Sequence, residues 1–173
     1  AAVWDGFAGS KVSVSRADVA VALRHMEQAV LQGIEKAKHL GTGILPTYFT
    51  FQAERLCQTE DGVMPLELTP APLPLFLEGP LRYLKLALPM AEKKRLADTL
   101  RHSDLYDEEL KMYRVNASLA DASFEVGRTK AFTPGWLENG SIWLHMEYKY
   151  LLELLKNGMY VEFSQIGRAS CRE

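Results

Sequence analysis

The chain has 173 residues, of which 47% are hydrophobic and 24% are charged, close to the average for globular proteins. This composition excludes a disordered or collagen-like chain. The formal net charge of -2 gives no electrostatic support for a nucleic-acid partner.

The first residues, Ala1–Asp5, match neither a signal peptide nor a translation start, so we expect a piece of a longer protein. No apolar run approaches the about 20 residues that a helix needs to cross a bilayer, so no membrane partner is expected. The two cysteines, Cys57 and Cys171, are too few for a disulfide framework, which favours a reducing, cytoplasmic setting.

The first predicted helix covers residues 16–40. Ser15 and Asp18 form an S-x-x-D capping pattern. Apolar residues follow at steps of three and four: Val19, Leu23, Met26, Val30, Ile34 and Ala37. Gly41 is predicted to end the helix as a left-handed C-cap.

The segment Met64–Pro80 contains five prolines interleaved with leucines. Because prolines remove hydrogen-bond donors and fix the backbone, we expect an extended, irregular connection packed against helices. Two short helices follow in the prediction, Leu81–Leu88 and Met90–Arg101, which begin after Pro80 and Pro89.

The last predicted helix, Ser141–Asn157, is apolar around most of its circumference and is expected to be buried on more than one side. With no long alternating strand pattern, the expected fold class is all-α, with an inner apolar helix and more polar outer helices. Residues 164–173 drop this pattern, and the string IGRASCRE resembles a translated adapter sequence. We therefore expect a non-native tail there, in which Cys171 has no functional role.

The segment 125–145 carries the candidate site. Its polar, aromatic and cationic side chains precede a helix N-terminus, whose free N–H groups suit an anion or a polar ligand. A tryptophan could offer a flat face to a sugar ring, while the polar groups would bind hydroxyls. The candidate residues are Arg128, Trp136, Glu138, Asn139 and His145, with Trp143 as an alternative platform.

Each candidate also has a structural explanation. His145 would be a satisfied core histidine, and Trp136 and Trp143 would be core aromatics. Asn139 or Ser141 would cap the helix. Arg128 would pair with a nearby carboxylate.

The run PGWLENGSIWLH, with GRTKAF before it, resembles the E-N-G-x-x-x-x-H segment of the cellobiose phosphorylase-like group, glycoside hydrolase family 94 and its family 36 superfamily relatives. The resemblance is loose over Gly41–Phe163 and good over Tyr113–Phe163. It implies that residues 1–163 are a fragment of an (α/α)6 catalytic domain, a partial barrel with long Pro-rich connections. It also implies that Glu138 lies near bound sugar and that His145 helps to hold phosphate.

The implied chemistry is inverting cleavage of a glycosidic bond in β-glucosides or related oligosaccharides. An acid protonates the leaving oxygen while phosphate, as co-substrate, or water attacks from the opposite face. No metal or cofactor is needed. The family's aspartate general acid has no match here, because Trp4-Asp5-Gly6 is too unlike the segment that carries it. The family's Thr-Gly pair, which follows the histidine, also has no match. The catalytic residues therefore stay unassigned, and the fragment alone is expected to be inactive.

Two other classes remain open: a non-catalytic helical binding or scaffold module, and an unrelated α/α-toroid lyase or epimerase. A homodimer of the full-length parent also remains open.

Overall fold

The computed structural model describes the backbone of residues 11–170 and the side chains of residues 11–166. Trp4-Asp5-Gly6 and Cys171 lie outside these residues. The described helices and strands are, in chain order, α1 (Arg16–Leu40), β1 (Phe49–Thr59), β2 (Gly62–Pro72), α2 (Glu78–Leu84), α3 (Met90–Arg101), β3 (Tyr106–Asp107), β4 (Met112–Tyr113), α4 (Arg128–Ala131), α5 (Leu144–Lys156) and α6 (Tyr160–Ser170). Within the described residues, every helix is too short or too polar to reach across a bilayer.

The chain divides into two compact units, Ala1–Lys36 and Ala37–Glu173. Most of the described part of the first unit is α1, which has the predicted bounds. The predicted cap is present, because Asp18 N–H donates a hydrogen bond to Ser15 Oγ at 3.0 Å.

The prediction that Gly41 is a left-handed C-cap was wrong. Of the two glycines that follow α1, Gly41 and Gly43, only Gly43 has a positive φ, of 94°. A side chain at Gly41 would collide with the carbonyl of Ile44. Close approach of the backbone therefore explains this glycine.

The expected all-α fold, and with it the partial (α/α)6 barrel, was wrong. The second unit contains two antiparallel two-stranded sheets, β1–β2 and β3–β4. The first sheet is a hairpin in which Phe49 pairs with Pro72 and Thr59 with Gly62. Its second strand takes up much of the proline-rich segment that was predicted to be irregular.

The prolines of β2 are compatible with this hairpin because each strand of a two-stranded sheet has one unpaired edge. A proline nitrogen that faces the open edge costs no ladder hydrogen bond. The prolines in this segment therefore argue against a strand in the centre of a sheet, but they are compatible with a strand at its edge.

Helices α2, α3 and α5 supply much of the core of the second unit. Leu84 of α2, Leu100 of α3 and Leu154 of α5 are fully buried. Helix α3 has the predicted bounds, whereas α2 begins before Pro80 instead of after it. The prolines at 80 and 89 thus mark helix starts to within a few residues.

Helix α5 packs against α2 and α6 on one side. Its other side remains exposed in the described structure and carries Tyr148, Leu152 and Leu155. The expectation that this helix is buried on more than one side was therefore wrong. The charged Glu147 and Glu153 lie instead on the buried side.

Candidate functional site

A tight turn presents Glu138 at the start of the segment that leads into α5. Asn139 N–H donates to Trp136 O at 3.2 Å, and Gly135 N–H donates to Asn139 O at 2.7 Å. Leu137 lies inside the turn with a φ of 47°, in the left-handed region. A leucine there costs about 1–2 kcal/mol, so the turn is held against strain.

Two buried asparagines hold this turn. Asn139, 3% exposed, donates from Nδ2 to Phe132 O at 2.7 Å and accepts from Leu119 N–H at 3.4 Å. Asn116, 4% exposed, donates from Nδ2 to Glu138 O at 2.7 Å and accepts from Gly140 N–H at 2.8 Å. The amide of Asn116 therefore pairs with the backbone on both sides of Asn139, and the amide of Asn139 ties the turn to Phe132 and Leu119.

The side chain of Glu138 borders a cavity of about 450 Å³, which we call the Glu138 cavity. Most of the lining is apolar or aromatic, with amide, hydroxyl and carboxylate groups among it. The lining residues are Tyr48, Phe49, Leu73, Pro74, Phe76, Asn116, Leu119, Val126, Thr129 and Glu138. This volume is within the range of small-molecule sites, about 300–1,000 Å³.

One carboxylate oxygen of Glu138 lacks a partner. Glu138 Oε2 is buried, and no group in the described part of the chain forms a hydrogen bond with it. An unsatisfied buried polar atom costs about 1–3 kcal/mol, more when it is charged. Glu138 is therefore a lining residue with unused hydrogen-bonding capacity.

The other cavity groups complement this acceptor. The rings of Tyr48 and Phe76 pack edge to face, with centroids 5.5 Å apart. Thr129 Oγ1 donates to Val126 O at 3.2 Å, so its lone pairs remain available as acceptors. The lining contains no basic side chain. A ligand with an apolar face and hydrogen-bond donors fits this arrangement.

His145 does not line the Glu138 cavity. It is exposed in the first turn of α5, with its ring centroid 5.2 Å from that of Trp143. Trp143 in turn donates from Nε1 to Leu137 O at 3.2 Å. Trp143 thus connects the imidazole to the turn that carries Glu138. His145 is not a buried core residue in this structure.

Arg128 and Trp136 also lie outside the lining of the Glu138 cavity. Arg128 is exposed at the start of α4. Trp136 is 59% exposed, and its ring packs edge to face against Phe132 at 5.5 Å. Neither Asn139 nor Ser141 caps α5, because the N-cap residue is Trp143 and no side chain caps that end.

A second cavity, of about 490 Å³, is lined by Asn139 and Gly140 from the turn and by the Asp107–Arg114 ion pair. Arg114 Nη2 lies 2.8 Å from Asp107 Oδ2. The hydrogen bond from Leu110 N–H, and next the guanidinium of Arg114, lower the pKa of Asp107. The two cavities thus share the Glu138–Gly140 turn as a wall.

Comparisons with family models, curated proteins and solved structures found no match. Among the described residues, no group of three or more His, Cys, Asp or Glu side chains is placed to hold a metal ion.

Sequence reasoning missed the walls of the Glu138 cavity. Tyr48 and Phe76 come from the two ends of the β1–β2 hairpin region, far from Glu138 in sequence. Asn116 gave one weak signal, as a lone amide between the apolar residues Val115 and Ala117. A polar side chain in an apolar segment is often buried with specific partners.

Proposed function

We propose that the Glu138 cavity binds a pyranose ring, and that this chain is part of a glycoside phosphorylase or hydrolase. The observation that carries the proposal is that Glu138, whose Oε2 is buried without a partner among the described residues, lines the same cavity as Tyr48 and Phe76. The resemblance of Glu138-Asn139-Gly140 and His145 to the cellobiose phosphorylase-like group supports the same function.

A pyranose matches the chemistry of this lining. Its C–H faces are apolar and pack on aromatic rings such as Tyr48 and Phe76, while its hydroxyls supply donors for a carboxylate. Hydrogen bonds from hydroxyls to a carboxylate are short and about twice as strong as neutral ones. A wholly apolar ligand would leave Glu138 Oε2 unsatisfied.

We propose His145 as the residue that helps to hold an anion, outside the lining of the Glu138 cavity. It lies in the first turn of α5, where free N–H groups and the helix dipole favour negative charge. In an inverting phosphorolysis, phosphate attacks the anomeric carbon while an acid protonates the leaving oxygen. The substrates would be β-glucosides or related oligosaccharides, and the acid would come from outside this chain. The setting we propose is cytoplasmic, since the chain has only two cysteines.

Calorimetric titration of the full chain with glucose and with cellobiose tests the proposal. We expect Glu138→Gln to weaken sugar binding by about tenfold or more, since hydrogen bonds to charged groups contribute about 1.5–3 kcal/mol. Glu125→Gln is the matched control, because Glu125 is exposed and does not line the Glu138 cavity. Equal affinity in the wild type and Glu138→Gln, or no binding at all, would contradict the proposal.

The anion role is tested in the same titration with inorganic phosphate. Phosphate should raise sugar affinity in the wild type, and His145→Ala should remove that increase without changing the affinity for sugar alone. His102→Ala is the control, because His102 is an exposed histidine at the end of α3. Persistence of the phosphate effect in His145→Ala would assign the anion to other residues.

A second candidate function is a binding or scaffold module. The β1–β2 hairpin favours it, because both of its strands carry exposed apolar side chains, among them Phe51, Leu56, Leu66 and Leu68. An isolated two-stranded hairpin with such residues is only marginally stable in water. Sedimentation of the chain discriminates the two candidates: association that is lost in Phe51→Thr with Leu68→Thr, without any sugar binding, favours the module.

A further inference from the structure

Asn116 lies in a short extended segment that is fixed on both sides. Hydrogen bonds of 2.8 and 2.9 Å join Ala117 and Val115 to the backbone of segment 75–77. On the other side, Val115 N–H donates to Ser141 O at 2.7 Å. Val115 is fully buried, and the side chain of Asn116 is therefore held at a fixed position beside the turn.

The amide of Asn116 bonds to the backbone on both sides of the turn tip. Its donor reaches Glu138 O at 2.7 Å, and its acceptor receives Gly140 N–H at 2.8 Å. Both distances are those of good hydrogen bonds. These two bonds fix the residues on either side of Asn139, in a turn that also contains the strained Leu137.

We infer that Asn116 is the positioning residue of Glu138: its two hydrogen bonds fix the backbone that carries the carboxylate at the wall of the Glu138 cavity. Only a side chain with both a donor and an acceptor can make this pair of bonds. Asn116 lines the same cavity, so its amide supports the wall from which Glu138 projects. The inference rests on the proposed function for the ligand, but the effect on the turn is measurable without one.

The test compares Asn116→Ala and Asn116→Asp with Asn157→Ala. Alanine removes both hydrogen bonds, whereas aspartate keeps the acceptor for Gly140 N–H and loses the donor to Glu138 O. Asn157 is a matched control, because its side chain also bonds to backbone carbonyls, those of Leu84 and Glu153, away from the turn. Three quantities are measured: hydrogen exchange at the Gly140 amide, the ¹³C shift of the Glu138 carboxyl, and glucose affinity of the folded protein.

We expect the Gly140 amide to exchange about tenfold faster or more in Asn116→Ala, because local opening no longer breaks a hydrogen bond to the side chain. The Glu138 carboxyl shift should change in both Asn116 variants, and their glucose affinity should fall. Asn157→Ala should leave three quantities unchanged: the exchange rate of the Gly140 amide relative to global unfolding, the ¹³C shift of the Glu138 carboxyl, and the affinity for glucose. If Asn116→Ala does not fold, Asn116→Asp carries the test through the carboxyl shift and the affinity.

The inference is overturned if the Asn116 variants lose stability while the carboxyl shift and the Gly140 exchange relative to global unfolding stay as in the wild type. It is also overturned if Asn157→Ala gives the same changes. Absence of glucose binding in the wild type refutes the proposed function instead, and the exchange and shift data then decide the inference alone. The two failures are therefore distinguishable.

Discussion

Glu138 and Asn139 are adjacent in sequence, but they line two different cavities. The Glu138–Gly140 turn separates a mainly apolar cavity from one that is lined by the Asp107–Arg114 ion pair. The side chain of Asn139 forms hydrogen bonds with the backbone of Phe132 and Leu119. Of the two residues, Glu138 is the one whose side chain keeps an oxygen unpaired within the described part of the chain.

A functional carboxylate should be costly to the fold. We expect Glu138→Gln to leave the free energy of unfolding unchanged or to raise it by up to about 1 kcal/mol, because it removes a buried carboxylate oxygen that has no hydrogen-bond partner in the described structure. Urea unfolding measures this. Glu147 is the contrasting case, since it is 0% exposed and accepts a hydrogen bond from Tyr113 N–H at 3.1 Å.

For Glu147→Ala we expect a loss of about 3 kcal/mol, because the donor of Tyr113 is left unsatisfied and a cavity opens. If Glu138→Gln and Glu147→Ala were equally destabilising, Glu138 would be a structural residue of the turn.

Strain at Leu137 predicts a stabilising substitution. Leu137→Asn should raise the free energy of unfolding by about 0.5–1 kcal/mol, because asparagine tolerates the left-handed region better than leucine does. Leu110→Asn is the control, since Leu110 is also exposed and its φ is not positive. Thermal unfolding that shows the same change in both variants would mean that the turn is not strained.

The lowered pKa of Asp107 predicts a pH dependence. Its cause is first the hydrogen bond from Leu110 N–H and then the Arg114 guanidinium. A lowered pKa in the folded state stabilises the fold above the ordinary aspartate pKa, and this contribution disappears as the pH falls through the lowered value.

Asp107→Asn should therefore cost about 1–2 kcal/mol at pH 7, and the difference from the wild type should shrink below about pH 4. Urea unfolding at several pH values checks it. Glu108→Gln is the control, because the Glu108–Lys111 pair is exposed and such pairs contribute little. A deficit for Asp107→Asn that is independent of pH would contradict the electrostatic explanation.

Helix α5 is buried on one side only, which predicts losses of stability of very different size for two leucines near each other in sequence. Leu154 is fully buried, whereas Leu152 is 46% exposed. Leu154→Ala should lower the free energy of unfolding by about 2–5 kcal/mol, and Leu152→Ala by less than about 1 kcal/mol. Similar losses in urea unfolding would show that α5 is covered on both sides in solution.

The helices whose start depends on local chemistry could be predicted from the sequence. The bounds of α1 and α3 agree with the structure, because the Ser15–Asp18 cap and Pro89 act on their own neighbours in the chain. The β1–β2 hairpin was missed. The prediction of an irregular connection depended on the prolines of β2, and it did not use the Asp61-Gly62 pair at the start of β2, a recognised hairpin signal.

The candidate site could be predicted only in part. The turn residues Glu138 and Asn139 are contiguous, and their composition drew attention to them. Tyr48, Phe76 and Asn116 reach the cavity only because the segments 75–77 and 115–117 pair with each other. Such contacts between distant segments have no local signal, so the walls of the cavity could not be derived from the pattern of the sequence.

The most direct test of the account is nuclear Overhauser contact between glucose and the full chain. A pyranose in the Glu138 cavity should give contacts from its ring protons to Phe76 and to the methyl group of Thr129, and Glu138→Gln should remove them at the same glucose concentration. Contacts confined to the exposed ring of Trp136, or contacts to Phe76 that persist unchanged in Glu138→Gln, would contradict it.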